Sequence, residues 1–410
     1  MMRLATAGAV VAALLLGASA APPPAAVPQP MTRSEAFARA AALSTLGQRM
    51  FFDPRLSASG AQSCASCHDP AHGFSPANAL SVQPGGAHLQ QFGTRAVPGL
   101  TYLQVVPAFT EHFHDSDDEA DESVDNGPTG GLTWDGRVDT PAEQAMIPLL
   151  AANEMANADL PALAARLRQA GYARALGAIM GQSALASPQD LARAAGAALE
   201  AFQQESALFY PYSSKYDAVL AGRARLSAQE QRGLQAFEDP ARGNCASCHI
   251  SRPGLDGTPP QFTDYGLIAL GLPRNPAIPA NADPAYVDLG LCGPLRTDHA
   301  GQAAYCGLFR TPSLRNVALR RSFFHNGLVH DLRLAVAFYA TRDTNPGLWY
   351  PRNADGSVRK FDDLPARYRA NLNDDPPFDG RKPGDKPALS EQEIDDVVAF
   401  LRTLTDGWRQ

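Results

Sequence analysis

The sequence predicts a mainly α protein with two domains related by duplication and with long loops. The first observation is a repeated pentapeptide, since residues 64–68 and 245–249 both read C-A-S-C-H. The second is a shared approach to each repeat, with the spacing G-x3-F-x-D-P upstream of both copies. The third is a set of segments with helical apolar periodicity, interrupted by a Gly- and Pro-rich loop region over residues 251–312.

Length and composition are those of a folded protein of about two domains. The chain has 410 residues, of which 45% are hydrophobic and 19% are charged. The net charge of -7 and the pI near 5.7 argue against nucleic acid as a partner. We expect domains at residues 34–210 and 211–410.

The first 20 residues have the three parts of a secretory signal peptide. Arg3 is the basic part, residues 4–16 are mostly apolar, and Ala18-Ser19-Ala20 is a small-residue cleavage site. The apolar run is too short to span a bilayer, so we expect no membrane insertion. An exported, soluble protein follows, which in a bacterium is periplasmic. Residues 21–33 are rich in Pro and Ala and are expected to form a disordered linker.

Each predicted helix has a local signal. A rough apolar stripe marks the first helix, Pro188 suits a first helical position, and Ser227-x-x-Glu230 and Ser390-x-x-Glu393 are capping boxes. Helices are predicted at residues 34–52, 160–180, 188–209, 227–239, 332–339 and 394–404.

The pentapeptide C-x-x-C-H is typical of covalent haem c attachment. In this interpretation Cys64, Cys67, Cys245 and Cys248 bond two haem c groups, and His68 and His249 ligate the two irons. Disulfides or a zinc ribbon are the alternative, but they leave the paired histidines unexplained. The predicted domains are therefore cytochrome c-like haem domains, and haem c attachment after export agrees with a signal peptide.

Two cysteines and one acidic segment remain outside these motifs. Cys292 and Cys306 are expected to form a disulfide in an oxidising compartment, the alternative being two free buried thiols. The acidic stretch at residues 111–125 is interpreted as a solvated loop. The alternatives are a docking surface for a basic partner and a cation site that includes His112 and His114.

The second ligand of each iron decides between electron transfer and peroxide chemistry. No Met lies beyond Met180, so the second domain cannot supply the usual Met ligand to its own iron. The candidates there are His299, His325, His330 and several tyrosines.

Several segments together resemble the bacterial di-haem cytochrome c peroxidase superfamily, and most closely its MauG-like branch, which includes MauG and MbnH. The resemblance extends from about residue 46 to residue 404. The matching segments are both haem motifs and residues 46–57, 134–137, 143–145, 153–155, 311–316 and 324–327.

The resemblance implies a ligand for the second iron and an open face on the first. Tyr339, fourteen residues after His325, takes the place of the second distal ligand, the alternative being a Tyr packed in the core. The loop at residues 80–86 contains no His where peroxidases carry a switchable one. Pro84 stands there instead, although His88 is near enough to swing in.

The resemblance also implies catalytic residues and two departures from the family pattern. Glu154 and Gln144 are the implied acid–base residues, and Trp134 is the implied aromatic between the haems, unless it is an ordinary core Trp. Gly243 replaces a Trp that relays oxidising equivalents to the surface in MauG. The resemblance also implies a calcium site as a further cofactor site, but its Asn ligand corresponds to Ala96 here.

The calcium site would have two further donors, which correspond to the carbonyl groups of Arg320 and Ser322.

The expected function is that of a di-haem oxidoreductase of the peroxidase type. Hydrogen peroxide would generate a high-valent di-haem state that oxidises a Trp or Tyr residue on a partner protein. The alternative is a cytochrome c peroxidase that reduces hydrogen peroxide with electrons from a small cytochrome or cupredoxin. A non-enzymatic electron carrier would require both irons to be six-coordinate.

Overall fold

The computed structural model describes residues 31–114 and 125–409. The predicted signal peptide and most of the predicted linker lie outside these residues, as do residues 115–124 of the acidic stretch. No helix within the described ranges is long and apolar enough to cross a membrane.

The described chain is mainly helical, with two short two-stranded antiparallel sheets. In these sheets, Pro84 pairs with Phe92 and Leu267 pairs with Arg310. The helices are α1 (Arg33–Phe51), α2 (Pro141–Leu150), α3 (Leu160–Gln169), α4 (Tyr172–Met180), α5 (Pro188–Gln203), α6 (Ser206–Phe209), α7 (Lys215–Leu220), α8 (Ala228–Glu238), α9 (Leu332–Thr341) and α10 (Glu391–Arg402). The strands are β1 (Pro84–Gly85), β2 (Gln91–Phe92), β3 (Leu267–Ile268) and β4 (Phe309–Arg310).

Two main hydrophobic cores form from separate parts of the sequence. The first core uses buried residues from Leu46 to Phe209, where α1 and α2 pack on α5. The second uses buried residues from Tyr216 to Leu404, where α8 and α9 pack on α10. The proposed division at residue 210 lies between these two sets.

The predicted duplication is confirmed by matching helix crossings in the two cores. A Cβ atom added to Gly47 of α1 would lie 1.8 Å from the carbonyl oxygen of Ala198 in α5. A Cβ added to Gly233 of α8 would lie 1.9 Å from the carbonyl oxygen of Asp396 in α10. Both glycines therefore allow a backbone contact that no larger residue permits.

The repeated Phe and Asp residues also have equivalent surroundings. Phe51 packs edge-on against Phe202 of α5 at 5.4 Å, and Phe237 packs in the same way against Phe400 of α10 at 5.3 Å. The Asp that follows each Phe accepts a hydrogen bond from the backbone two residues later and fixes the turn toward the haem motif. The G-x3-F-x-D-P spacing therefore encodes one helix crossing and one turn, used twice.

Gly47→Ala is expected to lower the free energy of unfolding by about 3 kcal/mol, because the added methyl group must separate α1 from α5. Thermal and denaturant unfolding measure this loss. Gly301→Ala is the matched control, since a Cβ at Gly301 meets no atom within 4 Å. An unfolding midpoint for Gly47→Ala equal to that of the control would contradict the close helix crossing.

A polar seam joins the two cores around Asp406, which follows α10. Its carboxylate accepts hydrogen bonds from Tyr102 Oη at 2.8 Å, Asn316 Nδ2 at 2.8 Å and the backbone N–H of Ser213 at 3.0 Å. Tyr102 belongs to the first half of the chain, whereas the other two donors belong to the second. One carboxylate thus holds both halves together.

Several predicted boundaries were wrong. The helix predicted at residues 160–180 is interrupted at Gly171, whose φ of 85° ends α3 before α4 begins. The helix predicted to end at residue 209 ends at Gln203 and is followed by the separate helix α6. The linker was predicted to extend to residue 33, but Thr32 already caps α1 and Arg33 is the first residue of that helix. The sequence analysis also missed α2.

Candidate functional site

The two C-A-S-C-H motifs form matching loops. Residues Cys64–Ser66 and Cys245–Ser247 are single 3-10 turns, and all four motif thiols are free of disulfides. Each motif follows the helix and turn shared by the two halves, after nine further residues in the first half and four in the second. In the second motif both thiols and the imidazole line one cavity, as covalent haem attachment requires.

Both motif histidines are oriented by a backbone carbonyl. His68 donates its Nδ1–H to the carbonyl of Phe74 at 2.9 Å, and His249 donates to the carbonyl of Phe262 at 2.9 Å. Burial lowers the pKa of each imidazole to about 4, so both are neutral at pH 7. The hydrogen bond fixes the tautomer and leaves Nε2 available as a metal ligand.

A cavity adjoins the second motif, and we call it the second cavity after that motif. It is lined by His249, Tyr339, Trp134 and Phe309, among other residues. Tyr339 lies on α9, and no hydrogen bond joins its hydroxyl to another described residue. Its ring stacks on Phe378 with a centroid separation of 6.0 Å. Burial raises the pKa of Tyr339, and the nearby thiols of the second motif add to this rise. The structure thus places the predicted distal tyrosine beside the second motif.

The second cavity also contains a buried cation that supports haem as its occupant. Arg310 is 8% exposed, donates Nε–H to the carbonyl of Thr133 and forms no ion pair with any carboxylate in the described ranges. An uncompensated buried guanidinium is costly, and the two propionates of a haem would supply the missing negative charge. Two thiols, an imidazole, a phenol and this arginine together fit a haem c group.

A partly buried carboxylate, that of Glu154, adjoins the first motif. Glu154 lies near enough to Cys64 and Cys67 to raise the pKa values of both thiols. Burial raises the pKa of Glu154 itself, and the positive charge of Arg137 opposes this rise. No hydrogen bond joins its carboxylate to another described side chain. Glu154 is therefore placed and protonatable in the way that proton transfer at the first motif would need.

Residues 80–86, the loop that lacks the switchable His of the peroxidases, also adjoin the first motif. Gln62 donates its Nε2–H to the carbonyl of Pro84 at 3.3 Å and contacts Cys67 Sγ at 3.8 Å. A Cβ on Gly85 would collide with the backbone at Asn153 and Glu154, so this glycine lets β1 approach the segment that carries Glu154. His88 lies in the hairpin turn between β1 and β2 and is exposed.

Two further predicted residues lie on neighbouring elements. Gln144 is partly buried on α2, whose first turn is fixed by a capping box between Thr140 and Glu143. Trp134 is 8% exposed and donates Nε1–H to the carbonyl of Ala96 at 2.7 Å. Trp134 lines the second cavity, while Arg137, three residues later, affects the pKa of Glu154. This short segment therefore connects the surroundings of the two motifs.

The segment after Trp134 is held rigidly. Asp135 is fully buried and accepts hydrogen bonds from Arg95 at 2.7 Å, from Arg137 at 2.9 Å and from the hydroxyl of Thr133 at 2.6 Å. Arg95 also binds Asp288 at 2.6 Å. These buried pairs fix the position of Trp134 relative to both motifs.

The last two cysteines are joined to each other away from the motifs. Cys292 and Cys306 form a disulfide with a Cα–Cα separation of 4.9 Å. Glu111, at the start of the acidic stretch, accepts a hydrogen bond from the hydroxyl of the neighbouring Tyr305, and His112 pairs with Asp125. This loop region is thereby tied to the described ends of the acidic stretch.

Known proteins share this arrangement over nearly the whole chain. The family described as di-haem cytochrome c peroxidase matches residues 41–225. Methylamine utilization protein MauG of Paracoccus denitrificans is 34% identical over 399 residues, which cover 93% of this chain and 92% of the relative. The chain belongs to the di-haem cytochrome c peroxidase family that includes MauG. Members of this family are peroxidase-type oxidoreductases.

Solved structures agree with this membership. The crystal structure of the diheme peroxidase BthA from Burkholderia thailandensis has a TM-score of 0.77 and 42% identity, covering 89% of this chain and 86% of that one. A MauG-like protein associated with microbial copper homeostasis has a TM-score of 0.60 and 26% identity, covering 96% of both chains. This di-haem peroxidase therefore has the fold of the MauG-like structures.

The predicted calcium donors do not fit a divalent cation in this di-haem peroxidase. The side chain of Ala96 offers no oxygen, and its carbonyl accepts the Trp134 hydrogen bond. The carbonyl of Ser322 accepts a hydrogen bond from Nε of Arg320 at 3.3 Å. A guanidinium bound to this oxygen would repel Ca²⁺, which needs six to eight oxygen ligands. Within the described ranges, no three His, Cys, Asp or Glu side chains group as a metal site.

Sequence reasoning missed several residues of this di-haem peroxidase. Phe74 and Phe262 hold the two histidines through their carbonyls, and both have positive φ, which is uncommon for bulky residues. Arg310, which is buried, and Arg320, which is partly buried, provide positive charge. Aligning the two C-A-S-C-H motifs could have pointed to these phenylalanines. However, Phe74 lies six residues after His68 and Phe262 lies thirteen residues after His249, so the alignment does not place them at the same position.

Proposed function

We propose that this di-haem peroxidase uses hydrogen peroxide to oxidise a Trp or Tyr residue on a partner protein. The observation that carries the proposal is the difference between the two motif surroundings. A partly buried carboxylate, Glu154, adjoins the first motif, whereas a phenol, Tyr339, adjoins the second. The first surroundings suit proton transfer to peroxide, and the second suit a permanently ligated metal.

The proposed assignments place one haem c at each motif. Cys64 and Cys67 would bond the first and His68 would ligate it, with Glu154 available nearby for proton transfer. Cys245 and Cys248 would bond the second. His249 and Tyr339 would ligate it, and Arg310 would neutralise part of its propionate charge. When bound, the two haems supply the redox chemistry and store two oxidising equivalents.

The side chains of this chain handle protons and position the groups. Glu154 accepts a proton from one peroxide oxygen and delivers a proton to the other as water leaves, with the amide of Gln144 orienting the peroxide. Trp134 provides an aromatic path between the two sites. Overall, one peroxide takes up two electrons and two protons to give two waters, and the partner residue loses the two electrons and two protons.

The partner and the location are part of the proposal. Similarity to MauG and to the MauG-like protein of copper homeostasis supports a protein as the substrate. The signal-like residues 1–20, the haem c motifs and the Cys292–Cys306 disulfide support a periplasmic location.

Addition of hydrogen peroxide to the as-isolated, fully oxidised protein tests the proposal. We expect loss of the high-spin signal of the first haem and a long-lived absorption band in the near infrared. The band should decay faster when a protein substrate is present. Optical and electron paramagnetic resonance spectra follow both changes.

Two other outcomes identify the competing functions. Reaction with peroxide only after reduction of the second haem would contradict the proposal and favour a cytochrome c peroxidase supplied by a small cytochrome or cupredoxin. Absence of any high-spin haem both before and after reduction of the second haem would contradict both enzymes and favour an electron carrier.

A further inference from the structure

We propose that the guanidinium of Arg320 is a built-in cation that replaces a metal ion between the two haem sites. This inference rests on the proposed haem sites, but not on the proposed oxidation of a partner protein. It assigns an electrostatic role to a residue that the peroxide chemistry described above does not use.

Arg320 is held by oxygen atoms from three segments of the chain. Its Nη1 donates to the hydroxyl of Ser75 at 3.1 Å, its Nη2 donates to the carbonyl of Val97 at 3.1 Å, and its Nε donates to the carbonyl of Ser322 at 3.3 Å. Ser75 and Val97 belong to the first half of the chain, whereas Arg320 and Ser322 belong to the second. The guanidinium therefore cross-links the halves through neutral oxygens, as a bound cation would.

The position of Arg320 is between the two motifs. Ser75 directly follows Phe74, whose carbonyl holds His68, so the hydrogen bond from Arg320 to Ser75 places the guanidinium beside the first motif. The side chain of Arg320 also lines the second cavity together with His249. A single positive charge thus acts on both sites.

The surroundings of Arg320 supply no negative charge from the protein. No carboxylate of the described chain pairs with it, and burial lowers its pKa to about 10, so it stays charged at pH 7. The residues that would complete a metal site are also altered, because position 96 is Ala and the Ser322 carbonyl is bound to the guanidinium. Haem propionates are the anionic groups that would compensate this charge.

The physical consequence concerns the reduction potentials. A fixed positive charge near two irons stabilises the reduced, less positive states and raises both potentials. Unlike a bound ion, a covalently attached charge cannot be removed by a chelator. The protein is therefore expected to keep its spectra and potentials without calcium.

The test uses the haem-loaded full-length protein and needs no peroxide. Wild-type protein is dialysed against a calcium chelator. Its calcium content is then measured by elemental analysis, and its two midpoint potentials are measured by spectroelectrochemical titration. We expect less than one calcium per protein and unchanged potentials after readdition of calcium. A stoichiometric calcium ion whose removal shifts either potential would overturn the proposal.

Variants of Arg320 test the charge directly. Arg320→Gln is expected to lower both midpoint potentials, and Arg320→Lys is expected to retain most of the wild-type values. Arg321→Gln is the matched control, because Arg321 is exposed and adjacent in sequence. Wild-type potentials in Arg320→Gln would overturn the proposal. If Arg320→Gln fails to fold, the Arg320→Lys variant and the chelation of wild type still test the inference. A large shift of the midpoint potentials in either experiment would contradict it.

The outcomes separate this inference from the proposed function. Failure of the peroxide reaction, with chelator-resistant potentials and the expected shift in Arg320→Gln, would remove only the proposed function. A normal peroxide reaction with calcium-dependent potentials would remove only the role of Arg320.

Discussion

Glu154→Gln is expected to slow the reaction with hydrogen peroxide by about 100-fold or more, because the amide cannot accept the peroxide proton. Stopped-flow absorption measures the rate. In wild type the rate should fall as the pH decreases through the pKa of Glu154, which burial raises above its ordinary value of 4.5. This acidic limb should be absent from the residual rate of the variant.

Stability provides a check that the variant is folded. Because the folded state raises the pKa of Glu154, it favours the neutral acid over the carboxylate. This contribution to stability is complete below pH 4.5 and is lost as the pH rises through the raised pKa. Glu154→Gln, which cannot ionise, is therefore expected to be at least as stable as wild type at pH 7.

A matched control separates position from charge. Glu200 on α5 also has a pKa raised by burial. The charge that adds to this rise is that of Glu143, and no thiol of a haem motif contributes to it. Glu200→Gln should react with peroxide at the wild-type rate. Equal slowing of both variants, or no slowing of Glu154→Gln, would show that Glu154 has no direct part in the reaction.

Tyr339→Phe is expected to change the low-spin spectrum of the second haem and leave the high-spin signal of the first unchanged. Loss of an anionic ligand should also raise the midpoint potential of the second haem, since a phenolate stabilises ferric iron. Burial raises the pKa of the Tyr339 hydroxyl, so the polypeptide alone keeps it neutral. Ferric iron would have to displace this proton, as metal ions commonly do with their ligands.

Tyr216→Phe is the control for Tyr339→Phe. Tyr216 is buried in the second core and donates its hydroxyl to the carbonyl of Ser251, but it does not line the cavity. Its replacement should lower stability by about 1 kcal/mol and leave both haem spectra unchanged. An unaltered low-spin spectrum in Tyr339→Phe would refute the ligand assignment.

The sequence was most informative where one physical requirement is repeated. Gly47 and Gly233 are predictable because the same helix crossing occurs twice, and the cysteines fix the register of the comparison. The helix starts at Ser227 and Ser390 were also predictable, since a capping box is a local interaction between neighbouring residues.

Other features depend on contacts that sequence patterns do not encode. The helical periodicity of residues 160–180 continues across Gly171, whose left-handed conformation is visible only in the structure. Arg320 was expected to contribute only its backbone carbonyl to a cation site. Its side chain instead reaches Ser75, 245 residues away in sequence. A contact at such a separation follows from how the two halves dock.

The seam at Asp406 has a consequence for the order of biogenesis. Asp406 follows both pentapeptides in the chain, so its bonds to Tyr102, Ser213 and Asn316 cannot form until both pentapeptides have been synthesised. The two halves cannot lock together earlier through this carboxylate. The carboxylate that links the halves is therefore among the last groups of the chain to be made, after all four motif cysteines.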